Sequence, residues 1–259
     1  MSKTTFKDIM DIYDSDVTVD TFNALVYGDI GSGKTYLAKT CPGPVLIHSF
    51  DPGGSKSIND VIGDDKGIYV ERFETEDSKK PTEYARWEKK FDALRNEGFF
   101  ENVGTFILDS VTTWSESMMN EILKRQGRQG GIAQLMDWQV QMNTIRDTIK
   151  RICALPCNCI VIGHIELDKD EVTGKMITNP MITGKMKAKM PLLFDEIYVT
   201  LTKETRQGVE YQLLTQSNGL YRARTRLGKG GVFEAFEEPN ITKLLNKAGI
   251  KQTNKKESK

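Results

Sequence analysis

Eight consecutive residues, Gly28-Asp29-Ile30-Gly31-Ser32-Gly33-Lys34-Thr35, match the pattern G-x-x-x-x-G-K-[ST] in full. The glycines permit backbone conformations that turn successive N–H groups inward, which makes a nest for anionic oxygens. The context fits as well. The apolar run Phe22 to Tyr27 reads as a buried strand before the loop, and Lys34 to Thr40 opens a helix that Pro42-Gly43-Pro44 stops. That helix would add its positive N-terminal end. Lys34 is placed to reach β- and γ-phosphates, and the Thr35 hydroxyl is a hard oxygen ligand for Mg²⁺. A nucleotide site is therefore expected on residues 28–35 plus Tyr36, with ATP and Mg²⁺ as cofactors.

A chain built around such a loop needs a carboxylate at the same sheet edge. Thr105-Phe106-Ile107-Leu108-Asp109-Ser110 supplies one, an apolar strand ending in Asp that places Asp109 where it can hold the metal's water shell. Further strands are expected at Val45–Phe50, Gly67–Phe73 and Cys159–Gly163, and helices at about 81–96, 112–125 and 132–154. Three late strands of antiparallel type are expected at Glu196–Lys203, Val209–Thr215 and Leu220–Arg224, the first two joined by a hairpin at Arg206-Gln207-Gly208. Asn240 is expected to cap a last short helix ending at Gly249. The segment from about 167 to 191 has weak periodicity and reads as a mobile loop or a ribbon. Alternating strands and helices imply an α/β fold with a mostly parallel sheet, helices on both faces and antiparallel strands at the C-terminal edge. The expected organisation is an arm over residues 1–20, one domain over 21–250, and a disordered Lys-rich tail over 251–259.

Lys plus Arg and Asp plus Glu both number 36, so no global field draws the chain to nucleic acid or to an anionic membrane, and any nucleic-acid site must be local. Cys153, Cys157 and Cys159 cluster, yet Cys157-Asn158-Cys159 runs into Ile160-Val161-Ile162 and no partner pair has zinc-site spacing, so buried thiols in a reducing compartment are expected. A polar N-terminus without a signal-peptide pattern, and no long apolar run, point to a cytoplasmic protein without a membrane partner.

Several features together resemble the RecA-like ATPases. The Asp109 strand is fourth in order, as in ATPases with an additional strand between the P-loop strand and the metal-binding strand. The next strand ends in Ile162-Gly163-His164-Ile165, and Tyr221-Arg222-Ala223-Arg224-Thr225-Arg226-Leu227-Gly228 resembles the basic-x-Arg motif of hexameric members. Over residues 20–230 the chain resembles the phage-encoded RecA-like P-loop ATPases, the AAA-type phage nucleotide-binding protein family, whose best-understood branch is the Sak-type single-strand annealing and recombination ATPases. The resemblance implies a RecA-like core, ATP hydrolysis, assembly into a homo-oligomeric ring or filament, action on single-stranded DNA in the host cytoplasm, and a single-strand-binding protein as a candidate partner.

It also implies roles for single residues. The water-activating group of RecA-like proteins is usually a Glu after the second strand; here Asp51 stands at that position, one carbon shorter, with Glu71 and Glu74 as runners-up. Asp51-Pro52-Gly53-Gly54 also reads as a plain turn capped by its Asp. His164 would sense the γ-phosphate, the alternative being a structural histidine. Arg224 and Arg226 alternate on an expected strand, so they share a face and would clamp phosphates across a subunit interface; a solvated basic strand is the alternative.

Lys175, Lys185, Lys187 and Lys189 occur with no acid between Val172 and Met190, and Lys124, Arg125 and Arg128 occur in a second glycine-rich loop. These seven are the candidate DNA contacts, with Met176, Met181, Met186 and Met190 in place of stacking aromatics. A flexible, solvated, Lys-rich loop is the competing reading. Two other functions stay open: a nucleotide-gated assembly switch with little hydrolysis, and a small-molecule kinase, although no Arg-rich lid is visible.

Overall fold

The computed structural model describes residues 21–63, 67–171, 173–228 and 230–250. The expected arm and tail lie outside them. The strands are β1 (Asn23–Gly28), β2 (Val45–Ser49), β3 (Ile68–Arg72), β4 (Thr105–Asp109), β5 (Asn158–Lys169), β6 (Met176–Pro180), β7 (Glu196–Thr205), β8 (Gly208–Leu214) and β9 (Phe236–Glu237). The helices are α1 (Glu83–Asn96), α2 (Val111–Arg125), α3 (Leu135–Cys153), α4 (Met186–Lys189) and α5 (Ile241–Lys247). The sheet runs β3-β2-β4-β5-β1-β7-β8-β9, with β6 paired to β5. From β3 to β7 every neighbouring pair is parallel, while β8 and β9 are antiparallel. This is the expected α/β architecture, with β5 standing between the P-loop strand and the Asp109 strand.

Strand alternation divides the core into two layers. Leu25 and Tyr27 of β1, Phe106 and Leu108 of β4, and Cys159 and Val161 of β5 face one layer. Ala24 and Val26, Ile107, and Ile160 and Ile162 face the other. The first layer is closed by three amphipathic helices that bury Tyr84, Trp87 and Phe91 of α1, Trp114, Met118 and Ile122 of α2, and Ile145, Ile149 and Ile152 of α3. Their spacings of three, four and seven keep each set on one helical stripe. The second layer is thinner. It is closed by the 3₁₀ turns Thr35–Thr40 and Gly54–Val61 and by α5, through Leu37, Ala38, Ile58, Ile241, Leu244 and Leu245.

Termini follow local chemistry. The Ser110 side chain accepts from Thr113 N at the start of α2, and the Asn240 side chain accepts from Lys243 N at the start of α5. Gly249 follows α5 at φ 74°, the left-handed stop that glycine adopts without a Cβ penalty. Cys157 and Cys159 are buried, with Cys159 Sγ donating to Ile152 O at 3.0 Å.

The late region differs from expectation in two ways. The strand at Glu196 is parallel to β1 rather than antiparallel, because it enters beside β1 from the same edge. Leu220–Arg224 is not a strand; it contributes one bridge, Ile197 to Arg224, and β9 takes the edge position instead. Of the two readings of the segment after β5, the ribbon is the one found: β5 continues past the sheet and pairs with β6 from Ile165–Pro180 to Lys169–Met176. Beyond it Met186 and Met190 are buried in the first core layer, so they are anchors and not base contacts in place of aromatics.

Candidate functional site

The phosphate loop grows out of β1 under tight steric control. A Cβ on Gly28 would lie 2.2 Å from Thr200 Oγ1, so only glycine fits where β1 meets β7. Gly31 and Gly33 have φ of 75° and 87°, a region costly to side-chain-bearing residues. Ser32 Oγ donates to Asp29 O at 2.7 Å and lies 2.6 Å from Thr200 Oγ1, tying the loop to β7. Lys34 is buried, and Nζ donates to Gly28 O at 3.0 Å and Asp29 O at 2.7 Å. Burial lowers its pKa, against the opposing pull of Asp109, Asp51 and Asp29. Ile30 at the loop tip and Tyr36 after the loop are exposed.

Asp109 ends β4 and is buried; its Oδ2 accepts from Thr35 Oγ1 at 2.7 Å. Burial, opposed by that hydrogen bond and reinforced by Asp51, pushes its pKa up to about 6. β5 brings His164 level with Gly28, one strand away. Asp51, just past β2, joins the two halves. Its Oδ2 lies 2.8 Å from His164 Nε2, and its Oδ1 accepts from Ser110 Oγ at 2.7 Å and Thr113 Oγ1 at 2.5 Å. Burial works against the Asp51 carboxylate, but the hydrogen bonds from His164, Thr113 and Ser110 outweigh it and hold the pKa below the usual carboxylate range.

A cleft of about 750 Å³ runs along this edge. The loop from Ile30 to Leu37 forms its floor, Asp51 and His164 stand at one end, and Tyr211 with Glu238–Asn240 stands at the other. Neither Glu71 nor Glu74 lines it. Glu74 instead accepts from Ser49 Oγ and Gly53 N, both at 3.0 Å, and so holds the turn that presents Asp51; Glu71 lies 3.5 Å from Arg86. Sequence reasoning did not find Ser110 and Thr113 as Asp51 partners, nor Thr200 and Tyr211 against the P-loop. An S/T pair after the β4 Asp was visible, but the other two reach the site only through strand order.

The remaining candidates lie elsewhere. Arg224 and Arg226 sit beside Asp195–Ile197, where β7 begins, at the sheet edge opposite the P-loop. Arg224 Nη2 donates to Phe194 O at 2.5 Å and Arg226 Nη1 pairs with Asp195 at 2.7 Å, so both guanidinium groups hold the chain's own backbone and acid. The same-face clamp expected from strand alternation is absent because the segment is not a strand. Lys124 donates to Pro81 O, Arg125 pairs with Glu88 and Glu121, and Arg128 pairs with Asp137. Lys187 reaches Asp168 at 2.6 Å and Glu166 at 3.7 Å, so acids at the start of the ribbon fold onto it. Lys175, Lys185 and Lys189 are exposed and make no ion pair among the described residues.

Residues 21–227 match the family model for an AAA domain. The chain belongs to this AAA domain family. It is a P-loop member, with Lys34 and Thr35 lining the cleft and Asp109 buried behind it, hydrogen-bonded to Thr35. A comparison with curated protein sequences finds no match. Similar solved structures include a KaiC-like protein from the archaeon Pyrococcus horikoshii OT3, at 10% identity and TM-score 0.40, covering 80% of this chain and 82% of that one. The flagellar accessory protein FlaH from Methanocaldococcus jannaschii aligns at 11% identity and TM-score 0.45, covering 84% and 83%. An ATPase of the type III secretion system of pathogenic bacteria aligns at 12% identity and TM-score 0.45, covering 89% of this chain and 64% of that one. Among the described residues, no helix is long and apolar enough to cross a membrane.

Proposed function

We propose that this chain binds ATP with Mg²⁺ on the P-loop, hydrolyses it, and couples turnover to single-stranded DNA within a homo-oligomeric ring or filament. The observation that carries the reading is the convergence of Lys34, Thr35, Asp51 and His164 on one cleft, with Asp109 hydrogen-bonded to Thr35 behind it. Lys34 would exchange its two carbonyl partners for phosphate oxygens, which are better partners for a buried ammonium. Thr35 and Asp109 would hold the magnesium. The residues fit a cation: Asp109 is a desolvated carboxylate held well above its usual pKa, and a divalent charge beside it would offset that cost. Bound there, the metal would supply charge neutralisation to the phosphate oxygens. Asp51 would orient the attacking water, and His164 would link that carboxylate to β5.

Support for DNA coupling comes from β5 itself. One strand carries His164 against Asp51 and then continues into the β5–β6 ribbon, so a shift at Asp51 would have a hydrogen-bonded element to travel along. The exposed Lys175, Lys185 and Lys189 supply local positive charge near the ribbon, and the family resemblance implies phage recombination, annealing or replication as the setting, with a single-strand-binding protein as partner. The test is ATP turnover with and without single-stranded DNA, beside DNA affinity with and without ATP and sizing of the complex. Turnover indifferent to DNA, together with DNA affinity indifferent to nucleotide, sinks the coupling.

A second reading, a nucleotide-gated assembly switch with little hydrolysis, is favoured by one observation. Both Asp51 oxygens already accept hydrogen bonds and its pKa is lowered, which makes it a poor proton acceptor. Single-turnover hydrolysis no faster than that of Lys34→Ala would select it.

A further inference from the structure

The far end of the cleft has no role in phosphate chemistry, and its side chains are unlike those at the Asp51 end. β8 alternates so that Leu213 enters the second core layer with Leu37 and Ala38; Tyr211, two residues earlier, shares that face. Its ring stands against the loop, 3.2 Å from where a Cβ on Gly33 would sit, yet Tyr211 is 47% exposed. Tyr36 leaves the loop on the same cleft, and Pro239 completes the end. Among the described residues, most polar atoms here are already engaged, the Asn240 amide nitrogen and one Glu238 oxygen excepted. Thr40 Oγ1 donates to Leu37 O and accepts from Ile241 N, the Asn240 oxygen caps α5, and Glu238 pairs with Lys243.

We infer that Tyr211, Tyr36 and Pro239 form a clasp for the nucleobase that reads it by stacking and not by its hydrogen-bonding edge. This rests on the P-loop holding a nucleoside triphosphate. With phosphates on Lys34 and Thr35 and the γ end toward Asp51 and His164, the base extends past Tyr36 to the Tyr211 end. Stacking rewards ring area and tolerates any π-face, whereas base-specific discrimination needs free donors and acceptors. The site therefore takes purine nucleotides as a class, ATP and GTP alike, and pyrimidines less well.

The experiment measures binding of ATP, GTP, UTP and inorganic tripolyphosphate, each with Mg²⁺, to the full chain and to Tyr211→Ala and Tyr211→Phe. The expected result is ATP and GTP within about threefold of each other and UTP weaker. Tyr211→Ala should weaken both purine nucleotides by about tenfold or more and leave tripolyphosphate unchanged, while Tyr211→Phe retains wild-type affinity. Unchanged tripolyphosphate binding also shows that the variant's P-loop is folded. The clasp is overturned if Tyr211→Ala leaves ATP affinity unaltered, if ATP and tripolyphosphate weaken equally, or if wild type prefers ATP over GTP a hundredfold. If wild type binds neither ATP nor tripolyphosphate, the ATPase reading itself falls and the clasp with it.

Discussion

Asp51 is the residue on which the proposed hydrolysis turns. Its carboxylate is held by Ser110, Thr113 and His164, three donors from two different elements, so its position is set even though its basicity is lowered. Asp51→Asn keeps an acceptor oxygen for Ser110 and Thr113 while removing the charge. The expected outcome is ATP affinity within about threefold of wild type and hydrolysis slower by about 10²–10⁴-fold. Equilibrium binding beside steady-state turnover checks it, and unchanged turnover would reduce Asp51 to a turn residue. Arg224 is a residue of the opposite kind. Its guanidinium serves the carbonyls of Phe194 and Pro191 on the far edge. Arg224→Ala should lower stability by about 1–3 kcal/mol, since those carbonyls lose a charged donor. Urea unfolding reads the loss, and hydrolysis per folded molecule should stay within about twofold. A collapse of hydrolysis with stability intact would restore the interface role implied by the family resemblance.

Among the elements, β2 carries a titratable group into the core. His48 is fully buried between Phe73 and Phe106, Nδ1 accepts from Trp87 Nε1 at 3.0 Å, and Nε2 has no partner among the described residues. Burial, then Lys90 and Arg86, push its pKa down to about 3. The unfolded chain takes up a proton near pH 6.5 and the folded one does not. This contribution is therefore complete above pH 6.5 and is lost as pH falls toward 3, at up to about 1.4 kcal/mol per pH unit. Denaturant unfolding at pH 7 and pH 5 should show wild type losing about 2 kcal/mol more than His48→Gln. Equal losses would mean that His48 is solvated in the folded state. If the proposed coupling to single-stranded DNA holds, the β5–β6 ribbon and the neighbouring α4 are the elements that would carry it. Replacing Lys175, Lys185 and Lys189 together with Glu should weaken single-stranded DNA binding and lower the slope of log affinity against log salt by about 2. An unchanged slope would show that the DNA path avoids the ribbon.

At the scale of the whole molecule, the parallel strands bring Lys34, Thr35, Asp51, Asp109 and His164 to one edge and leave Arg224 and Arg226 on the other. Local chemistry determined a good deal by itself. The eight-residue loop, the apolar strand before Asp109, the Asn240 cap and the Gly249 stop all act through neighbours in sequence, so they were legible without a fold. Asp51 and His164 were legible as strand ends but not as a hydrogen-bonded pair, because 113 residues separate them and only the order β2-β4-β5 brings them together. Tyr211 could not be assigned to the cleft in advance, since nothing in an exposed strand tyrosine reveals which loop its face meets. The same reason explains the basic residues. Charge is countable along a sequence, but Lys124, Arg125, Arg128 and Lys187 are held by partners that folding supplies. Sequence determined which groups this protein has for binding a nucleotide. Tertiary structure decided which of them share a cleft, because long-range strand pairing sets distances that no local pattern encodes.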